Sequence, residues 1–152
     1  MKRFLLASLF LFSGTQLLAQ DDGEVIVIAD LNRAEVRQFI AEAEDQFYGI
    51  FNANIEDEDF KITCRRETPT GSNIAVRVCE PEFLNKARAD NMASFQFNRG
   101  TELTDASLRS QLEPEFTQLQ AMMEEMAQTI PEFAQIASIL TQLRARQEQL
   151  AN

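Results

Sequence analysis

Apolar residues recur along this chain at two periods, and their spacing divides it into elements. Val36, Phe39, Ile40, Ala43, Phe47, Ile50 and Phe51 fall at steps of three and four, one face of a helix over residues 33–52. Asn32 precedes it and Glu35 stands three residues on, the pairing of a capping box. Residues 24–29 contain the β-branched run Val25-Ile26-Val27-Ile28 and read as a short strand. Over residues 60–66 the pattern alternates, with Phe60, Ile62 and Cys64 opposite Lys61, Thr63 and Arg65. Turn-forming residues follow (Pro69, Gly71 and Ser72 among them), and residues 74–79 then form a second strand, so residues 60–79 predict a β-hairpin.

From Pro81 the pattern is helical again, with a partial stripe of Phe83, Leu84 and Ala87 ended by Gly100. Beyond Thr104, Phe116, Leu119, Met123, Met126, Ile130, Phe133, Ala137 and Leu140 form a seam several turns long. Pro114 opens its main helix, preceded by a turn containing Leu108. Pro131 interrupts it, and Thr129 with Glu132 predicts a capping box, hence a kink near Ile130. Arg144 and Gln147 replace apolar residues at the seam's far end. The expected fold is an α-rich α+β protein. A disulfide-clamped hairpin packs on the 33–52 helix within residues 20–100, and a helical segment, 104–150, kinks near Pro131. Contiguous exposed apolar patches beyond a few hundred Å² are rare. The seam, Phe116, Leu119, Met123, Met126, Ile130, Phe133 and Leu140, is therefore an interaction surface, facing either the first domain or a second copy.

The first residues follow another pattern. Lys2 and Arg3 precede a nearly unbroken apolar run over 4–12, and Ala19 stands before Gln20. That order is a cleavable signal peptide over 1–19. The run is about half the roughly 20 residues a spanning helix needs, so no stable membrane insertion is expected after cleavage. The location expected is the periplasm, with the outside of the cell as the alternative.

Charge and missing residue types narrow the function. The chain has 24 acidic and 14 basic residues, net −10. Losing Lys2 and Arg3 with the signal leaves the mature part at −12. Such a surface repels nucleic acid and anionic lipid, so no nucleic acid partner is expected. With no histidine, the commonest general base and metal ligand is missing, as is every Ser-His or Cys-His nucleophile. No catalytic residue, metal ligand or cofactor is assigned. Glu56-Asp57-Glu58-Asp59 lacks the order of an EF-hand loop and reads as solvated. Three readings remain: a non-catalytic envelope protein that binds another protein or itself, a Cu(I) binder through Met122, Met123 and Met126, and an enzyme using carboxylates alone.

Two cysteines in an exported chain favour a disulfide, Cys64 to Cys79, with 14 residues between them. Simple pairing of these positions places Gly71-Ser72 in a two-residue turn, the cysteines in a hydrogen-bonded pair and Arg66 opposite Arg77. The like charges fit poorly, so a bulge or wider loop is expected. Arg65, Arg66 and Arg77 form a basic cluster that could clamp a carboxylate or phosphate; pairing within the chain, with Glu67, Glu80 or the 56–59 acids, is the expectation.

Cys64-Arg65-Arg66-Glu67-Thr68-Pro69-Thr70-Gly71-Ser72, then Val78-Cys79, resembles a recurrent Cys-Arg-x-x-x-x-Thr-Gly-Ser…Val-Cys segment. It occurs in uncharacterised small exported proteins of Gram-negative bacteria. The resemblance spans roughly residues 30–85 and implies an envelope location and a structural hairpin, with no activity attached.

Overall fold

The computed structural model describes residues 27–97 and 100–151. The signal peptide over 1–19 lies outside them, as do residues 24–26 of the expected first strand. The last part of that strand is not extended. Ile28–Asp30 is a 3-10 turn, with Asp30 N–H donating to Val27 O and Leu31 N–H to Ile28 O. The turn drops Ile28 onto the core and delivers the chain to Asn32.

Helix α1 spans Arg33–Ala53. The Asn32 side chain accepts from the N–H groups of Ala34 and Glu35, and Glu35 accepts from the Asn32 N–H at 2.8 Å, completing the capping box. A 3-10 turn, Glu58–Phe60, then leads into strand β1, Ile62–Glu67, which pairs antiparallel with β2, Val76–Pro81. Helices α2 (Glu82–Gln96), α3 (Asp105–Gln111), α4 (Glu113–Thr129) and α5 (Pro131–Ala151) complete the order. This is an α-rich α+β chain whose hairpin is closed by the Cys64–Cys79 disulfide.

The hairpin is wider than a two-residue turn. Its ladder ends at Glu67↔Val76, leaving residues 68–75 as the loop. Inside the loop Ser72 N–H donates to Pro69 O at 3.0 Å while Gly71 takes φ +81°. That is a turn of type II, in which the third residue needs positive φ and glycine meets it without a Cβ clash. The loop also reverses the pairing type expected of the cysteines. Glu82 N–H donates to Lys61 O, so Lys61, Thr63, Arg65 and Glu67 bond across the ladder. Cys64 and Cys79 therefore form a non-hydrogen-bonded pair, with Cα atoms 4.0 Å apart. Pro81 occupies the same kind of site, where its missing N–H costs no ladder bond.

Helices α1 and α5 run antiparallel. Arg33 at the start of α1 bonds Leu150 O near the end of α5, and Phe51 near the end of α1 lies beside Phe133. Phe47 stacks on Phe133 with ring centroids 4.3 Å apart. One group of buried residues joins α1, the hairpin with the turn before it, α2, α4 and the start of α5: Phe51, Phe60, Ile62, Phe83, Leu84, Leu119, Met126 and Phe133. A second joins α1 to α5 through Val36, Ala43, Ile136, Leu140 and Leu143. Phe47 and Ile50 pack against both, so residues 104–150 share their core with residues before 100.

The expected capping box at Thr129 does not form. Its hydroxyl donates back to Glu125 O at 3.0 Å, closing α4. Ile130 supplies the extended residue between the helices (φ −116°, ψ 101°), as a residue before proline prefers, and accepts from Ala134 N–H. The break falls where Pro131 predicts it, one residue later than the box required.

Candidate functional site

The densest concentration of charge is built on Glu80. Its neighbours Cys79 and Pro81 face one side of the hairpin, so strand alternation turns Glu80 to the other, toward α2 and α3. There it is 6% exposed, and three guanidiniums converge on it. Arg65 Nη2 donates to Oε2 at 2.9 Å, Arg88 Nη2 to Oε1 at 2.9 Å and Arg109 Nη2 to Oε1 at 2.7 Å. Asp105 bridges two of them, accepting from Arg88 Nε and Arg109 Nε at 2.8 Å each. Arg65 also reaches Glu67 and Asn85, and Arg109 lies over the Phe116 ring at 5.7 Å.

Burial pushes the Glu80 carboxyl up, but the hydrogen bonds and charges of Arg88, Arg65 and Arg109 outweigh it and leave the group below its usual range. Asp105 is also lowered, by Arg109 first and then Arg88. Three arginines face three carboxylates, counting Glu67, so the network is neutral within itself. Every oxygen of Glu80 is engaged as an acceptor. The arrangement joins β1, β2, α2 and α3, and its arginines hold Glu80 and Asp105 in the charged form.

The opposite side of the hairpin carries a second set. Arg77 pairs with Asp45 at 2.6 Å and Glu44 at 3.4 Å, both on α1, and Arg144 of α5 reaches Glu44 at 3.1 Å. Tyr48 is raised, by burial first and then by Glu44. Arg65 and Arg77 thus turn to acids of the same chain, on opposite faces of the hairpin.

The turn residues Pro69, Gly71 and Ser72 stand together in the hairpin loop and take part in neither network's ion pairs. The seam does not lie on one open face. Leu119, Met126, Phe133 and Leu140 are buried against α1 and its neighbours, while Phe116, Met123 and Ile130 are half-buried at the edge of the same core. Beside it, between α1 and α5, a groove of about 290 Å³ is lined by Phe39, Ala43, Ile136, Ile139 and Leu143, with Glu42 and Gln46 also on its wall. Met122, Glu125, Met126 and Thr129 line a separate cavity of about 320 Å³ next to Asn54. Among the described residues no group of three or more Cys, Asp or Glu is arranged to hold a metal ion, and no helix is long and apolar enough to cross a membrane.

Sequence reasoning set Glu67 and Glu80 among the acids expected to meet Arg65, Arg66 and Arg77, but Arg66 has no carboxylate within 4 Å among the described residues, and Arg88, Asp105 and Arg109 were missed. Their signal was faint: Arg88 stands one turn beyond Leu84 on a partly apolar helix, and Arg109 follows Asp105 at four residues. The chain matches no family model, no curated protein and no solved structure.

Proposed function

We propose that this chain is an exported, non-catalytic envelope protein of the periplasm that binds another protein. The observation that carries the reading is the open apolar groove between α1 and α5. The seam residues beside it are turned inward, yet Phe39 and Ile139 remain only half-buried on the groove wall. A partner presenting apolar side chains would cover them, and a basic flank would suit Glu42 on a chain of net charge −10. Export is supported by the basic start, short apolar run and Ala19, and a disulfide suits an oxidising compartment. The non-catalytic reading is supported by the commitment of Glu80 and Asp105, the acids held below their usual range, to ion pairs.

A photo-crosslinking residue at Ile139 tests this in intact cells. The expected result is a discrete adduct that disappears when Phe39→Glu is added. No adduct, or one indifferent to Phe39→Glu, would exclude the groove as a binding site.

One observation favours a second reading. Met122 and Met126, one helical turn apart, line the same cavity beside Glu125. Thioethers there would suit Cu(I). Titration of the purified protein against a colorimetric Cu(I) chelator tests it; stoichiometric binding lost in Met122→Leu/Met126→Leu would establish the site.

A further inference from the structure

A two-stranded hairpin leaves half the backbone groups of each strand pointing away from its partner. On β1 these belong to Ile62, Cys64 and Arg66, because Lys61, Thr63, Arg65 and Glu67 bond across the ladder. The first of the three is already occupied. Ile62 N–H donates to Asn52 Oδ1 at 2.8 Å, and Ile62 C=O accepts from Asn52 Nδ2 at 2.7 Å. One amide side chain of α1 thus bonds Ile62 as the peptide of a neighbouring strand would.

Past Asn52 the edge is open. Cys64 and Arg66 are exposed, and their outward N–H and C=O groups meet no partner among the described residues. We propose that the β1 edge at Thr63–Glu67 takes up an extended segment of another protein as a third strand, with a carboxylate placed opposite Arg66.

Two observations fix the chemistry of that occupant. First, the open groups are donor–acceptor pairs two residues apart. An extended backbone complements that spacing, whereas the flank of a helix presents no free backbone groups to it. Second, Arg66 is a cation without a carboxylate within 4 Å among the described residues, on a chain of net charge −10. Its cross-strand neighbour Arg77 has turned to Glu44 and Asp45. An acid on the incoming strand would therefore meet a positive charge that no acid among the described residues pairs with.

A second copy of this chain is a poorer occupant. Antiparallel pairing of β1 with itself along the open edge would set either Arg65 or Arg66 opposite its own counterpart, depending on register, and like charges across a ladder are destabilising. The edge is also separate from the groove between α1 and α5, so the two readings stand or fall independently.

The test uses the full mature chain, ¹⁵N-labelled, and two synthetic peptides. One alternates valine and glutamate. The other has the same sequence with an N-methyl group on every amide, so that neither of its edges can donate. The expected result is a set of amide shifts confined to residues 63–67, with slowed hydrogen exchange at Cys64 and Arg66. The N-methylated peptide should give none of this. Arg66→Pro removes an N–H that lies outside the ladder, so the hairpin and its disulfide should persist while the response is lost. Arg66→Gln should weaken binding several-fold by removing the charge alone. Absence of shifts at millimolar peptide, shifts insensitive to N-methylation or to Arg66→Pro, or shifts in α1 and α5 instead would each overturn the proposal.

Discussion

Replacing Glu80 with glutamine removes one charge and changes little volume, so it isolates the network built on that carboxylate. The Glu80 side chain is 7% exposed, and its three arginine partners are 31–43% exposed. Breaking a fully buried ion pair from one side costs about 3–5 kcal/mol. Here the arginines retain access to water and keep Glu67 and Asp105, which lowers the expected loss to about 2 kcal/mol. For a chain of this size that corresponds to a melting point lower by roughly 6–10 °C. Urea is the denaturant of choice because it leaves the ion pairs unscreened. The midpoint should fall while the slope stays constant. The pH dependence supplies a second check. Glu80 is lowered in the folded state, so its contribution is complete above the unfolded value of about 4.3 and fades as pH drops toward the folded value. The gap between wild type and Glu80→Gln should therefore be full at pH 7 and narrow below about pH 4. A variant within about 0.5 kcal/mol of wild type at pH 7 would refute the view that this network holds the hairpin to α2 and α3.

Three further perturbations probe other parts of the fold. Asn52→Ala should cost about 1–2 kcal/mol by leaving the Ile62 backbone without its two bonds, and hydrogen exchange at the Ile62 amide should accelerate. Cys64→Ser/Cys79→Ser should lower stability by about 3 kcal/mol in chemical denaturation, and intact-mass measurement of the native chain should find two hydrogens fewer than the dithiol form. Gly71→Ala should destabilise by about 1 kcal/mol through its positive φ alone, since no atom stands within 4 Å of the added methyl; a melting point equal to wild type would contradict this.

The elements legible in the sequence were those written in a single strong period or a single cap. The α1 stripe and the Asn32–Glu35 box were of this kind, as was the alternation through Ile62 and Cys64. The failed Thr129 box was a local competition, but other departures depended on neighbours distant in sequence. The run Val25-Ile26-Val27-Ile28 has strand propensity, yet Ile28 is claimed by Ile136 and Leu143 across the chain and ends in a 3-10 turn. The wider loop expected from the clash of Arg66 with Arg77 does form, although those two arginines stay opposite each other. The structure stops pairing at Glu67↔Val76, and the change in loop length reverses which pairs are hydrogen-bonded. The Glu80 network draws on residues 65, 80, 88, 105 and 109. No local window contains them, and charged residues on separate helices carry no period that would connect them.

The seam's cis packing follows from lengths and directions. Helix α1 has 21 residues and α5 has 21, so antiparallel apposition covers one stripe with the other along nearly its full extent. The break at Ile130 makes this geometry accessible, because it frees α5 from the direction of α4 and lets Phe133 meet Phe47 and Phe51. Arg144 and Gln147, which spoil the seam as a periodic pattern, then stand at the border of that contact: Arg144 bonds Glu44, and Gln147 lines the recess beside Arg33 and Arg37. A polar residue at such a position limits how far the apolar contact extends and sets which acid it meets. With Leu119, Met126, Phe133 and Leu140 inside, an interface with another molecule has to be built from what the fold leaves outward. Among the described residues such surfaces include the groove wall at Phe39 and Ile139 and the open backbone of β1, beside exposed Met92 and Phe95 on α2; the apolar and the hydrogen-bonding surface would select partners by different chemistry.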